Sequence, residues 1–149
     1  MISNRVVGAL LILAVFALGY YLGGASRGGP ATLANTAAEG RVFELRTYTT
    51  HEGKLDALHA RFRNHTTKLF EKHGMTNVGY WTPRDAPLAQ NTLIYVLAHS
   101  SREAAEKSWA AFRNDPEWQK ARTESEANGK IVSKVESVFL NATDYSRIK

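Results

Sequence analysis

Apolar and polar side chains alternate from residue 41 to residue 50. Phe43, Leu45 and Thr47 fall on one side, and Glu44, Arg46 and Tyr48 on the other, so this stretch predicts a strand. From about 52 to 73 the rhythm changes. Leu55, Leu58, Phe62, Leu69 and Phe70 form one stripe, as an amphipathic helix requires. Gly74 suits the end of that helix, because glycine takes a positive φ cheaply. A second strand is predicted at about 75–82, with Pro83 removing a donor just beyond it. After the turn segment RDAPLAQN, where Asn91 satisfies backbone groups, the run TLIYVLAH at about 92–99 predicts a nearly all-apolar, central strand. Ser100-x-x-Glu103 reads as a capping box that opens a second helix, whose stripe is Ala104, Ala105, Ser108, Trp109 and Phe112. Asp115 and Pro116 restart the helix toward about 127, and Asn128-Gly129 stops it. A fourth strand is predicted at about 130–140. The order β-α-β, β-α-β implies an α+β, ferredoxin-like split βαβ fold: a four-stranded antiparallel sheet with helices on one face.

Such a sheet leaves its other face bare. The alternation assigns Glu44, Arg46 and Tyr48 to that helix-free face, with Tyr95 and His99 from the third strand and one aromatic of Tyr80-Trp81 from the second. Two copies closing these faces would bury the apolar area of both. A homodimer, an α+β barrel around a central cavity, is therefore expected.

The residues before this domain follow another pattern. Residues 6–22 are apolar or glycine, preceded by Arg5 and followed by no charge until Arg27. At about 1.5 Å per residue, a helix over residues 6–25 crosses a hydrocarbon core of about 30 Å. Residues 1–25 read as an uncleaved signal anchor, or as a signal peptide leaving at Gly23-Gly24-Ala25. Either reading sends the domain out of the cytoplasm. The expected place is a bacterial cell membrane with the domain on the outer side, or the periplasm or exterior if the tail is cut. Residues 26–40 are small and polar and read as a flexible linker, so the domain proper is 41–149.

Composition narrows the chemistry mainly by exclusion. The chain has no cysteine, which removes disulfides, thiol nucleophiles and thiolate metal sites. Its net charge of +5 is spread among acidic residues without a basic run, so no nucleic-acid partner is expected. Of the five histidines, His51, His59, His65 and His73 lie on or beside the first helix, and no two stand four residues apart. The geometry of two metal ligands on one helical turn is missing, and neither a metal nor a cofactor is expected.

Five pieces in order carry a family resemblance. FELRTYT at 43–49, FEKHG at 70–74, VGYWT at 78–82, the turn closing on Asn91, and NDPEWQ at 114–119 together resemble a NIPSNAP-family domain. The resemblance implies a dimeric α+β barrel. It implies no agreed activity or catalytic set.

The candidate ligand-binding residues are Glu44, Arg46, Tyr48, Trp81 and His99. Arg46 would hold an anionic or carbonyl oxygen and Tyr48 would orient it; the bland alternative is an ion pair with Glu44 that fixes the dimer. Trp109 and Trp118 read as packing residues, while the face of Trp81 is undecided. His99 is the histidine placed for chemistry, at the expected cavity mouth. The function this supports is a binding module for a small, partly apolar molecule or a protein partner. The alternative is an oxygenase or isomerase-like enzyme with Arg46, Tyr48 and His99 around the cavity.

Overall fold

The computed structural model describes residues 40–149. The proposed anchor and most of the linker lie outside those residues. No helix among the described residues is long and apolar enough to cross a membrane.

The chain forms β1 (Val42–Thr50), α1 (Leu55–Arg61), a π-helical turn (Phe62–Thr66), α2 (Thr67–Lys72), β2 (Thr76–Trp81), β3 (Thr92–His99), α3 (Arg102–Asn114), α4 (Pro116–Ser125) and β4 (Val132–Leu140). The sheet order is β2-β3-β1-β4, and every neighbouring pair is antiparallel. This is the split βαβ arrangement, with β1 and β3 central and β2 and β4 at the edges.

Local chemistry sets the boundaries. The first helix does run from Leu55 to Lys72, but it widens at its middle. The Thr66 and Thr67 hydroxyls donate to the carbonyls of Arg61 and Phe62, five residues back, at 3.3 and 3.2 Å. These bonds accompany the extra residue of a π turn. Gly74 (φ +75°) and Gly129 (φ +99°) sit in the left-handed region at two helix exits, where a side chain would be strained. The capping box is displaced by one residue from the expected place. Ser101, not Ser100, accepts the Ala104 N–H, at 3.1 Å, while its own hydroxyl donates to Glu103. Asp115 accepts the Glu117 N–H at 2.7 Å, with Pro116 in the first turn, as its position suggested.

The helices cover one face of the sheet. There Phe62, Phe70, Tyr95, Trp109 and Phe112 interlock, mostly edge to face with Phe70 stacked on Tyr95, with ring centroids 4.9–6.1 Å apart. Each such pair adds about 0.5–1.5 kcal/mol beyond the area it buries. Trp118 lies 4.5 Å from Phe112, under the guanidinium of buried Arg61, which also pairs with Glu126 at 3.1 Å. Trp109 and Trp118 are thus packing residues, and Trp118 fastens α4 to the domain.

The opposite face carries no helix. Phe43, Leu45 and Thr47 of β1 stand in register with Ala98, Val96 and Ile94 of β3 and with Leu140, Val138 and Glu136 of β4; Gly79 and Trp81 of β2 complete it. The bare face was expected, but its occupants were not: the two sides of β1 are exchanged. Phe43, Leu45 and Thr47 lie on the open side, and Glu44, Arg46 and Tyr48 point under the helices.

Candidate functional site

The exchange goes with the contacts of one carboxylate, Glu44. Trp109 brings an indole N–H into the otherwise apolar stripe of α3, and a buried N–H needs an acceptor. It finds Glu44 Oε2 at 2.6 Å. Glu44 is 1% exposed, so its charge depends on partners. His99 Nε2 stands 3.1 Å from the same oxygen. Ser137 on β4 donates to Oε1 at 2.6 Å, and Arg46 Nη1 donates there as well. Burial alone would push the carboxyl up; the bonds from His99, Ser137 and Trp109 and the Arg46 charge outweigh it and hold the group down at about 2. With Glu44 ionised, His99 Nε2 is the donor of this pair, and His99 Nδ1 has no partner.

Arg46 is held by its faces as well as by its edge. The Trp109 ring lies 4.2 Å from the guanidinium carbon and the Tyr48 ring 5.5 Å. One Nη2 proton reaches the Tyr48 hydroxyl at a long 3.5 Å, and Nε has no acceptor among the described residues. Tyr95 runs beneath, its ring 5.2 Å from that of Tyr48. Its hydroxyl is buried without a hydrogen bond, and burial raises its pKa well above the ordinary value.

Four of the five candidate residues therefore meet. Glu44, Arg46, Tyr48 and His99 form one cluster, but between sheet and helices, not in an inter-sheet cavity, and His99 is buried rather than at a mouth. The Glu44–Arg46 pair closes within a single copy. Tyr95 and Ser137 belong to the cluster and were not among the candidates, although Arg46 and Ser137 are cross-strand partners. The N–H of Trp109 was the available signal that an acceptor would face it.

Trp81 is the exception. It is 54% exposed, on the open face, with its indole folded back over Gly79. A Cβ at position 79 would stand 2.5 Å from that ring, so only glycine leaves room for the pose. Beside it, Phe43, Val78, Val96 and Leu140 with the C-terminal segment through Ile148 border a groove of about 350 Å3. Among the described residues no three His, Asp or Glu side chains are gathered as metal ligands.

Comparison with known proteins supports this architecture. The NIPSNAP family model matches residues 43–147. A NIPSNAP family protein of unknown function from Agrobacterium tumefaciens superposes with a TM-score of 0.64 at 19% identity, over 74% of this chain and 96% of that one. A second protein of that family from the same organism gives 0.64 at 18% identity, over 73% and 99%. An uncharacterized NIPSNAP-like domain protein from Burkholderia xenovorans gives 0.63 at 16%, over 72% and 90%. No functionally curated protein matches in sequence.

Proposed function

The chain belongs to the NIPSNAP family, and from that premise we propose that it works as a homodimeric binding module whose two open sheet faces close on each other around a small, largely apolar molecule. One observation carries this reading: the helix-free face carries apolar side chains on all four strands, beside Thr47 and Glu136, and is about half exposed along its two edge strands. Val138 and Trp81 are each 54% exposed and Leu140 is 40% exposed. Strands about 4.8 Å apart, rising about 3.3 Å per residue, give such a face a plane of roughly 500 Å2. Two of them, with the relief of their side chains, approach the roughly 1,200 Å2 at which specific interfaces begin. The groove beside Trp81 supplies the space for the ligand, and its apolar lining sets the ligand's character. The enzymatic alternative needs Arg46, Tyr48 and His99 in this space. They lie behind the sheet, so binding is the reading retained. The apolar stretch at residues 6–22 supports a further part of the proposal, that the module is held at the outer side of a bacterial membrane.

The chain has no cysteine, so a single introduced thiol is a clean reporter. In the full-length protein, Val138→Cys on the open face should cross-link to its own copy through a short bis-maleimide. Lys107→Cys, on the exposed side of α3, should not. Equal cross-linking at the two positions would refute sheet-to-sheet pairing. Nile red should brighten on binding the wild type and lose most of that signal with Trp81→Ala; undiminished binding would refute the chamber.

A further inference from the structure

The π turn aligns three side chains that an α-helix would spread apart. His59 on α1, Arg63 in the turn and Thr67 at the start of α2 stand at intervals of four residues. Between His59 and Thr67 an uninterrupted α-helix would turn by about 80° beyond two full turns. The extra residue of the π turn takes most of that rotation out, and such turns are frequent where a helix serves a site. The three side chains form one row, and together they border a cavity of about 260 Å3 between this helix and the β2 edge of the sheet.

The rest of the lining is largely aromatic. Tyr80 and Leu93 face the helices from β2 and β3, in register with Tyr95 and Tyr48. Phe62 meets the Tyr80 ring edge on, centroids 5.8 Å apart. Trp81 borders both this cavity and the groove on the open face. The donors are within reach of solvent: Arg63 is exposed, and His59 is partly exposed. Arg63 brings a fixed charge and His59 an imidazole N–H, and the lining includes no Asp or Glu. The cavity between α1 and α4, by contrast, is bordered by Glu124 as well as Arg61. The Tyr80 hydroxyl is committed to Asn77, whose amide donates to Glu71 at 2.9 Å, outside the lining. Charge therefore selects an anion, which gains charge-assisted bonds here where a cation gains none. Size selects a small one, because sites for drug-sized ligands begin at about 300 Å3. A carboxylate matches the planar fork of Arg63 and brings one negative charge to its one positive charge.

We propose that this cavity is a second binding site, for a small aromatic carboxylate whose acid group is held by Arg63 and His59 and whose ring lies among Phe62, Tyr80 and Trp81. It differs from the chamber on the open face in charge and in ligand, and Trp81 is the wall they share. Benzoate, benzamide, acetate and phenyl phosphate are the probes, titrated against the full-length protein and followed by saturation transfer to the probe protons. Benzoate should bind saturably, with benzamide, which lacks the charge, and acetate, which lacks the ring, each about fivefold weaker or more. Arg63→Gln should weaken benzoate about fivefold, the upper end of what an exposed ion pair supplies, and leave Nile red binding in the chamber unchanged. Lys120→Gln, an exposed cation on α4, should leave benzoate binding as it is. Benzamide or acetate binding as well as benzoate, no effect of Arg63→Gln, or an equal loss with Lys120→Gln would overturn the site. Phenyl phosphate binding about tenfold tighter than benzoate would overturn the carboxylate as the ligand class.

Discussion

Glu44→Gln isolates the centre of the buried cluster. The amide keeps the shape of the side chain but removes its charge. It offers one carbonyl oxygen where two oxygens now take four donors, and it turns an NH2 toward groups that themselves donate. Arg46, mostly buried, loses its counter-charge. Breaking a buried pair from one side costs about 3–5 kcal/mol, and that loss is expected near pH 7. A second magnitude follows from titration. The folded state lowers the Glu44 pKa from 4.5 to about 2. At about 1.4 kcal/mol per unit, the ionised carboxylate contributes about 3 kcal/mol to folding. Because the folded value is the depressed one, this contribution is complete above the unfolded pKa and disappears as pH falls from 4.5 toward 2. At pH 3 the wild type should have lost about 2 kcal/mol of it, while Glu44→Gln has none to lose. Urea unfolding of both proteins at pH 7 and pH 3 gives the comparison. The gap between them should be about 2 kcal/mol smaller at pH 3, and acid effects at other sites cancel in the difference. A gap unchanged between the two pH values, or one below about 1 kcal/mol at pH 7, would mean that Glu44 is not the charged keystone described here.

Two further substitutions test separate parts of the fold. Gly79→Ala places a methyl group where the Trp81 ring now lies. Since Trp81 is half exposed, the indole should swing out at a cost under about 1 kcal/mol, seen as a shift in tryptophan emission; an unchanged spectrum would refute the packed pose. Ser101→Ala removes the α3 cap and should cost about 1 kcal/mol in denaturant melts, against less than about 0.5 for Ser100→Ala. The reverse order would restore the capping box to the residue that the motif first suggested.

The departures from the sequence expectation are few, and apart from the one-residue shift of the α3 cap they share one origin. The strands and helices fall within a few residues of their expected bounds, because burial periodicity and caps are local signals. Residues Glu44, Arg46, Tyr48 and His99 share a face, as alternation and pairing require. What alternation does not carry is the sign of the face. Both sides of β1 are mixed: Phe43, Leu45 and Thr47 suit a wet or paired surface as well as a core, and Glu44, Arg46 and Tyr48 look like surface until their partners are known. A carboxylate buried alone is expensive. The structure makes burial tolerable with donors from three other elements: Trp109 on α3, His99 on β3 and Ser137 on β4.

The chain's own pattern determined the split βαβ order, the antiparallel sheet with one covered face, the stops at Gly74 and Gly129, and the apolar surplus that asks for a second copy. These follow from periods of two and of 3.6 and from the backbone limits of glycine and proline, all of which act over a few residues. Only the tertiary structure decided which side of β1 the helices cover, and so whether Arg46 faces a partner or a core. That choice is set by groups 55 to 93 residues away in the chain meeting one carboxylate. An acceptor's partners are fixed by approach in space, and no local rhythm encodes them.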